Sequence, residues 1–211
     1  MRLSVDTEQP QGDVLAQARA VLDDHGVVAV PTETFYGLAV SVFDQVACAR
    51  VFEIKGRPST KALPCIVSGI EQLGSVASEI TPLASELASR FWPGPLTLIV
   101  PARASVAAAS DNGTVAVLVS SLPLAREVAA IAGPATATSA NVSGAPPATT
   151  ADEVVAQFGD TVDLVLDGGA TPGGAASTIV DLTGATPALV REGAIAFRDV
   201  LTLASDLDWR S

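Results

Sequence analysis

The sequence predicts an α/β fold, with one twisted, mixed β-sheet, helices on its faces and a concave ligand groove. Short apolar runs rich in β-branched residues alternate with segments of helical periodicity along the 211 residues. The loops between them are short, and no stretch rich in Pro, Gly or Ser separates two hydrophobic sets. Length alone allows one or two domains, and this even distribution indicates a single domain over residues 1–211.

The run Val27–Val30 predicts a buried strand, because it is apolar and rich in β-branched residues. A polar segment follows it, in which Thr32 and Tyr36 carry hydroxyls and Glu33 carries a carboxylate. Open α/β sheets bind ligands where strands end, so this segment is a candidate wall of the groove. The alternative is that its threonines only bond to local backbone.

Asp44 is a candidate N-cap for a helix with apolar residues at helical spacing, and Gly56 is a candidate terminator. Lys55 and Arg57 then flank the helix C-terminus, where the helix dipole favours cations. That placement does not explain Lys61, a third cation on the same turn. Three neighbouring cations repel one another unless they share an anion.

Ser139 and Asn141 follow a strand of small residues, which let the backbone approach a ligand closely. A tightly packed strand pair would need the same composition. Lys55 and Arg57 suit phosphate oxygens, while the hydroxyl and amide suit phosphate and a metal ion. We expect the two pairs to meet across one groove, and two unrelated loops are the alternative.

The glycine-rich segment 167–174 leads into a predicted strand over residues 175–180, which contains Ser177, and Arg191 ends a later apolar strand. Glycine-rich loops can bind phosphates through their amides. This one lacks the Gly-Lys-Ser/Thr ending of a P-loop, and the chain has no Rossmann glycine fingerprint. The loop by itself is therefore weak support for a nucleotide site.

Six motifs together carry a family resemblance. They are, in order, Pro31-Thr-Glu-Thr-Phe-Tyr-Gly37, Lys55-Gly-Arg-Pro58, Phe91-Trp-Pro-Gly-Pro-Leu-Thr97, Ser139-Ala-Asn-Val-Ser-Gly144, Ser177-Thr-Ile-Val-Asp181 and Arg191-Glu-Gly-Ala-Ile195. From about residue 14 to 196 the chain resembles the YrdC-like family, the L-threonylcarbamoyladenylate synthases. The resemblance implies one YrdC-like domain followed by a C-terminal helical tail that ends near Trp209.

The resemblance implies an enzyme that makes threonylcarbamoyl-AMP and pyrophosphate from L-threonine, bicarbonate and ATP, with Mg²⁺ bound through the ATP phosphates rather than at a dedicated protein site. The product would supply a downstream machinery that modifies an adenosine next to the anticodon of tRNA. The implied site residues are Lys55 and Arg57 as catalytic phosphate and carbamate ligands, Lys61, Ser139, Asn141, Ser177 and Arg191 toward ATP, and Thr32 and Tyr36 toward threonine.

Three positions depart from the family pattern. Leu118 stands where an arginine is usual, so one anion ligand is missing and the identity of the amino acid stays open. Ala176 and Glu192 replace a usual glutamate and proline, which weakens the match less. A related branch lacks the Ser-x-Asn motif, so its presence here favours the synthase branch.

Composition limits the partners. A formal charge of −11 disfavours binding nucleic acid through its phosphates, so we expect weak or no direct tRNA binding. No signal peptide and no apolar run of about 18 residues is present, which predicts a cytoplasmic protein with no membrane segment. The alternatives are a divergent paralogue acting on another amino acid and a nucleotide- or RNA-binding module without turnover.

Overall fold

The computed structural model describes residues 1–56, 62–174 and 176–207 and confirms the α/β class. Its helices are α1 (Gly12–Asp23), α2 (Gln45–Lys55), α3 (Leu73–Val76), α4 (Pro82–Phe91), α5 (Pro123–Ala132), α6 (Ala151–Phe158) and α7 (Phe197–Asp206). Its strands are β1 (Arg2–Ser4), β2 (Val28–Pro31), β3 (Tyr36–Ala39), β4 (Cys65–Ile66), β5 (Leu96–Pro101), β6 (Thr114–Leu118), β7 (Ala135–Thr136), β8 (Thr138–Ser139), β9 (Leu164–Asp167), β10 (Thr178–Asp181) and β11 (Ala188–Arg191).

The strands form two mixed sheets, where the sequence predicted one. The first sheet has the order β1-β9-β2-β3-β8, and the second has the order β11-β10-β5-β6-β4-β7. The chain crosses between them at residues 135–139, since β7 pairs with β4 and β8 pairs with β3. Hydrophobic periodicity reports burial rather than the pairing partner, so it does not reveal that one short run serves two sheets.

Strand β2 lies at the centre of the first sheet and is buried on both faces. Val28 and Val30 pack on one face with apolar residues of α1 and α5, whereas Val27 and Ala29 belong to the cluster that includes α2 residues. Successive side chains of a strand point to opposite faces, so a strand covered by helices on both sides is apolar throughout. This explains the unbroken apolar run that predicted the strand.

Helix α2 has the predicted boundaries. The carboxylate of Asp44 accepts hydrogen bonds from the amides of Val46 and Ala47, at 3.0 Å each. Gly56 ends the helix with a φ of 58°, a left-handed conformation that a glycine adopts without steric cost. The two caps place Lys55 on the last turn, facing the protein interior, where it is buried.

A membrane-spanning helix needs about 18 or more predominantly apolar residues. None of the helices in residues 1–56, 62–174 and 176–207 combines the necessary length with the necessary apolar character.

Tyr36 ties β3 to the loop that follows β9. Its side chain is fully buried, and its hydroxyl donates a hydrogen bond to the Gly169 carbonyl at 2.7 Å. Burial disfavours the phenolate and raises the pKa of Tyr36 to about 12, from an ordinary 10.0.

This pKa can be measured, because Tyr36 is the one tyrosine of the chain. We expect tyrosinate absorbance in the folded protein to rise near pH 12 rather than near 10.0. In the unfolded chain Tyr36 ionises near pH 10.0, at a lower pH than in the folded protein. The contribution of the protonated Tyr36 hydroxyl to the free energy of unfolding is therefore complete below pH 10.0 and is lost as pH rises toward 12. Spectrophotometric titration with a circular dichroism check of folding measures this, with Tyr36→Phe as the blank. A midpoint near 10 in folded protein would contradict it.

Candidate functional site

A groove of about 550 Å³ lies between the two sheets. One wall comes from the first sheet, namely residues 32–37 and the segment at 137–139. The opposite surface comes from β4, β5, β6, β10 and β11 of the second sheet. The volume falls in the range of about 300–1,000 Å³ that is typical of small-molecule sites.

Five side chains from five neighbouring strands of the second sheet form a row along this surface, which we call the floor row. Ile179 pairs with Arg191 on one side and with Thr97 on the other, and Leu118 pairs with Ile66. The antiparallel register of β5 and β6 continues to bring Thr97 beside Leu118. Since strands lie about 4.8 Å apart, the row is about 19 Å long. It runs from a cationic end at Arg191 to an apolar end at Leu118 and Ile66.

The cationic end contains two of the predicted residues. Arg191 donates hydrogen bonds to the Ser177 carbonyl, from Nε at 3.1 Å and from Nη2 at 2.8 Å, and Nη2 also reaches Ser177 Oγ at 3.1 Å. Ser177 Oγ lies 2.8 Å from Thr97 Oγ1. Partial burial lowers the pKa of Arg191, but a guanidinium stays charged at neutral pH. This end can therefore bind an anion beside two hydroxyls.

Lys55 meets the Ser139–Asn141 segment, as the sequence predicted. Lys55 Nζ donates to the Asn141 carbonyl at 2.8 Å and also to the Ser139 carbonyl. Ser139 Oγ donates to Asn141 Oδ1 at 2.5 Å, and Ser139 lines the groove. The cation, the hydroxyl and the amide are thus assembled in one cluster, of which Ser139 lines the groove. Arg57 and Lys61, predicted to act with them, lie outside the described residues.

Thr32 and Tyr36 both line the groove, on the wall formed by the first sheet. Thr32 Oγ1 donates to the Phe35 carbonyl at 2.7 Å, so the local backbone bonding considered from the sequence does occur. The Tyr36 hydroxyl is engaged by Gly169, as described above. Both side chains therefore shape the wall through bonds within the protein.

Two polar residues of the groove region were given no role by the sequence. Thr97 stands in the middle of the floor row, and Ser120 is fully buried with its Oγ donating to the Glu33 carboxylate. For Ser120, the sequence signal is the alternation of side chains along β6 and the residues that follow it. Residues 116, 118 and 120 share one face. Leu118 and Ala116 line the groove, which makes the next polar residue on that face a candidate.

No group of three or more His, Cys, Asp or Glu side chains in the described ranges could hold a metal ion. The side-chain oxygens that could contact a metal ion beside the groove are Ser139 Oγ and Asn141 Oδ1. Magnesium is bound through few protein ligands when substrate phosphates supply the others, so this donor set fits a phosphate-bound magnesium ion.

Comparison with known proteins places these features in a family. The Sua5/YciO/YrdC family model, described as telomere recombination, matches residues 20–193. The chain is 40% identical over 177 residues to the threonylcarbamoyl-AMP synthase of Pyrococcus abyssi, covering 82% of this chain and 52% of that protein. It is 37% identical over 193 residues to the synthase of Bacillus subtilis, covering 90% and 55%. The chain spans about half the length of these two curated relatives.

A solved structure agrees with the sequence comparisons. The fold superimposes on P. abyssi Sua5 complexed with L-threonine with a TM-score of 0.90 and 35% identity, covering 98% of this chain and 62% of that one. Because the superposition covers 98% of this chain, it includes the strands that form the groove. The chain belongs to the Sua5/YciO/YrdC family.

Proposed function

We propose that this chain acts as an L-threonylcarbamoyladenylate synthase, which forms threonylcarbamoyl-AMP and pyrophosphate from L-threonine, bicarbonate and ATP. The observation that carries the proposal is the contact of the buried Lys55 ammonium with the Ser139 and Asn141 carbonyls, where Ser139 lines the groove. The names of the relatives support it, and so does the L-threonine bound by the similar Sua5 structure.

The reaction requires two anions to approach each other. The ammonium of threonine loses one proton to solvent, and the resulting amine and bicarbonate give a carbamate and water. A carbamate oxygen then attacks the α-phosphorus of ATP, which releases pyrophosphate. Lys55 and Arg191 are the described cations that could offset this repulsion, and Arg57 and Lys61 are assigned the same role from the sequence. Holding two reactants in the correct orientation can contribute about 7–11 kcal/mol, so positioning would be the larger effect.

In this proposal the substrates occupy different parts of the groove. Arg191 and Ser177 would contact the nucleotide, Ser139 and Asn141 the phosphates, and Thr32 and Tyr36 the amino-acid side. Mg²⁺ would be held by the ATP phosphates next to Ser139 and Asn141, where it neutralises phosphate charge. The product would leave as a small molecule for the tRNA threonylcarbamoyl-transfer machinery in the cytoplasm, and residues 1–211 would act as one domain.

A second candidate function follows from the apolar end of the floor row. Leu118 faces the groove where the family pattern has an arginine, so this end has one cation fewer for a substrate carboxylate. This favours a paralogue that makes a carbamoyl-adenylate from another amino acid. A nucleotide- or RNA-binding module that keeps the groove without turnover is a third candidate, of a different class.

Pyrophosphate release separates these candidates. The purified chain is incubated with ATP, magnesium, bicarbonate and each of the twenty amino acids in turn, and released pyrophosphate is measured. We expect release with L-threonine, dependent on bicarbonate. Release with a different amino acid would favour the paralogue, and ATP binding without release under any condition would favour the binding module.

Lys55→Met tests the residue on which the proposal depends, because methionine keeps the unbranched stem and removes the ammonium. We expect pyrophosphate release to fall about a hundredfold or more, as when a charge-stabilising donor is lost from an active site. Arg90→Met, at an exposed cation on α4, is the matched control and should retain activity. Thermal unfolding verifies that both variants fold; a folded Lys55→Met protein with full activity would refute the assignment.

Direct tRNA binding should be weak, because the chain carries a formal charge of −11. An electrophoretic mobility-shift titration with unmodified tRNA at physiological salt should show no complex below about 1 µM protein, since nucleic-acid affinity depends largely on phosphate neutralisation. A salt-sensitive complex at submicromolar concentration would instead indicate a basic surface that the overall charge conceals.

A further inference from the structure

A carboxylate stands at the apolar end of the groove. Glu33 lines the groove from the loop between β2 and β3, and its Oε2 accepts a hydrogen bond from Ser120 Oγ. Ser120 follows β6 on the same face as Leu118, because side chains alternate along an extended chain. Glu33 therefore reaches from the first sheet across to the end of the floor row.

Ser120 is held so that it presents its proton to Glu33. Its Oγ accepts a hydrogen bond from the Leu122 amide at 3.1 Å, and a hydroxyl has one proton to donate, which goes to Glu33. Arg126 Nη1 donates to the Ser120 carbonyl at 2.7 Å and to the Ser121 carbonyl at 2.7 Å, which anchors this backbone. The Glu33 carboxylate is thus positioned by a buried residue whose hydroxyl and carbonyl are both hydrogen-bonded.

Within the described residues, Glu33 has a hydroxyl partner but no cationic partner. Glu33 takes part in none of the ion pairs formed by residues 1–56, 62–174 and 176–207. Of the described residues that line the groove, only Glu33 has an acidic side chain and only Arg191 has a basic one. The strands that carry Arg191 and Leu118 are three strand spacings, or about 14 Å, apart, and Glu33 lies at the Leu118 end. A half-buried carboxylate in this position favours a cationic ligand group.

We propose that Glu33, positioned by Ser120, binds the ammonium group of the amino-acid substrate. The inference rests on the proposed function, in which ATP and bicarbonate are anions and the amino acid carries the one positive charge among the three substrates. Glu33 repels the first two and attracts the third, while Arg191 favours the nucleotide at the opposite end. Leu118 supports this arrangement, because an arginine there would lie beside Ser120 and could pair with Glu33 itself.

The test compares L-threonine with 2,3-dihydroxybutanoate, in which a hydroxyl replaces the amine. Isothermal titration calorimetry is performed on the wild-type chain and on Glu33→Gln, with magnesium and a non-hydrolysable ATP analogue present. We expect Glu33→Gln to weaken L-threonine binding about tenfold or more, as for loss of a charged hydrogen bond, and to leave the dihydroxy acid nearly unchanged. The wild-type preference for the amine should largely disappear.

Three further variants make the test specific. Ser120→Ala should reduce the same preference by a smaller factor, because the carboxylate remains but is less well positioned. Glu33→Asp keeps the charge on a shorter stem and should retain part of the preference, which also provides a measurement if Glu33→Gln unfolds. Glu86→Gln removes an exposed carboxylate on α4 and should change nothing.

The outcomes separate this inference from the proposed function. If wild type binds L-threonine and Glu33→Gln binds it equally well, or loses both ligands to the same extent, the role of Glu33 is overturned while the synthase proposal stands. If wild type neither binds L-threonine nor releases pyrophosphate with it, both are overturned.

Discussion

Lys55 joins the end of α2 to the segment at 139–143 through both its side chain and its backbone. Its Nζ donates to the Ser139 and Asn141 carbonyls, and its own carbonyl accepts from the Ser143 amide at 2.8 Å. An ammonium taken out of water without such partners would cost several kcal/mol, so the buried Lys55 keeps α2 and this segment together. A substrate that contacts Ser139 therefore meets a part of the wall that is fixed at both ends.

The two-sheet arrangement explains why chemistry from distant parts of the sequence converges. Ser139 pairs with Gly37 in the first sheet, directly after the chain has left the second sheet at residue 136. The crossing sets the Ser139 hydroxyl opposite the floor row rather than within it. One wall then carries hydroxyls and a carboxylate on turns, and the facing surface carries Arg191 on a strand, so the groove presents different chemistry to its two sides.

The sequence predicted those features that depend on local physics. The Asp44 and Gly56 caps of α2 were predictable because a capping carboxylate and a left-handed glycine act within one helical turn. The contact between Lys55 and Ser139, which are 84 residues apart, was predicted because a cation and a hydroxyl suit the same phosphate ligand. Pairing of β7 and β8 with different sheets was not predictable, since small residues suit either partner. Ser120 was missed for a similar reason: a lone serine after an apolar strand resembles any strand exit until the opposite wall is known.

The arginine of the groove is paired differently from two arginines elsewhere on the protein. Arg2 and Arg50 direct their guanidinium groups to carboxylates, at 2.7 Å from Asp167 and 2.8 Å from Asp163, so those charges are largely compensated within the protein. Arg191 instead bonds to neutral oxygens of Ser177, and among the described residues it forms no ion pair. Neutral partners orient a guanidinium without cancelling its field, just as the Ser120 hydroxyl orients Glu33 without cancelling the carboxylate. An acidic protein can thus keep one cationic and one anionic group in a single groove, each oriented by neutral partners and neither in an ion pair with another described residue.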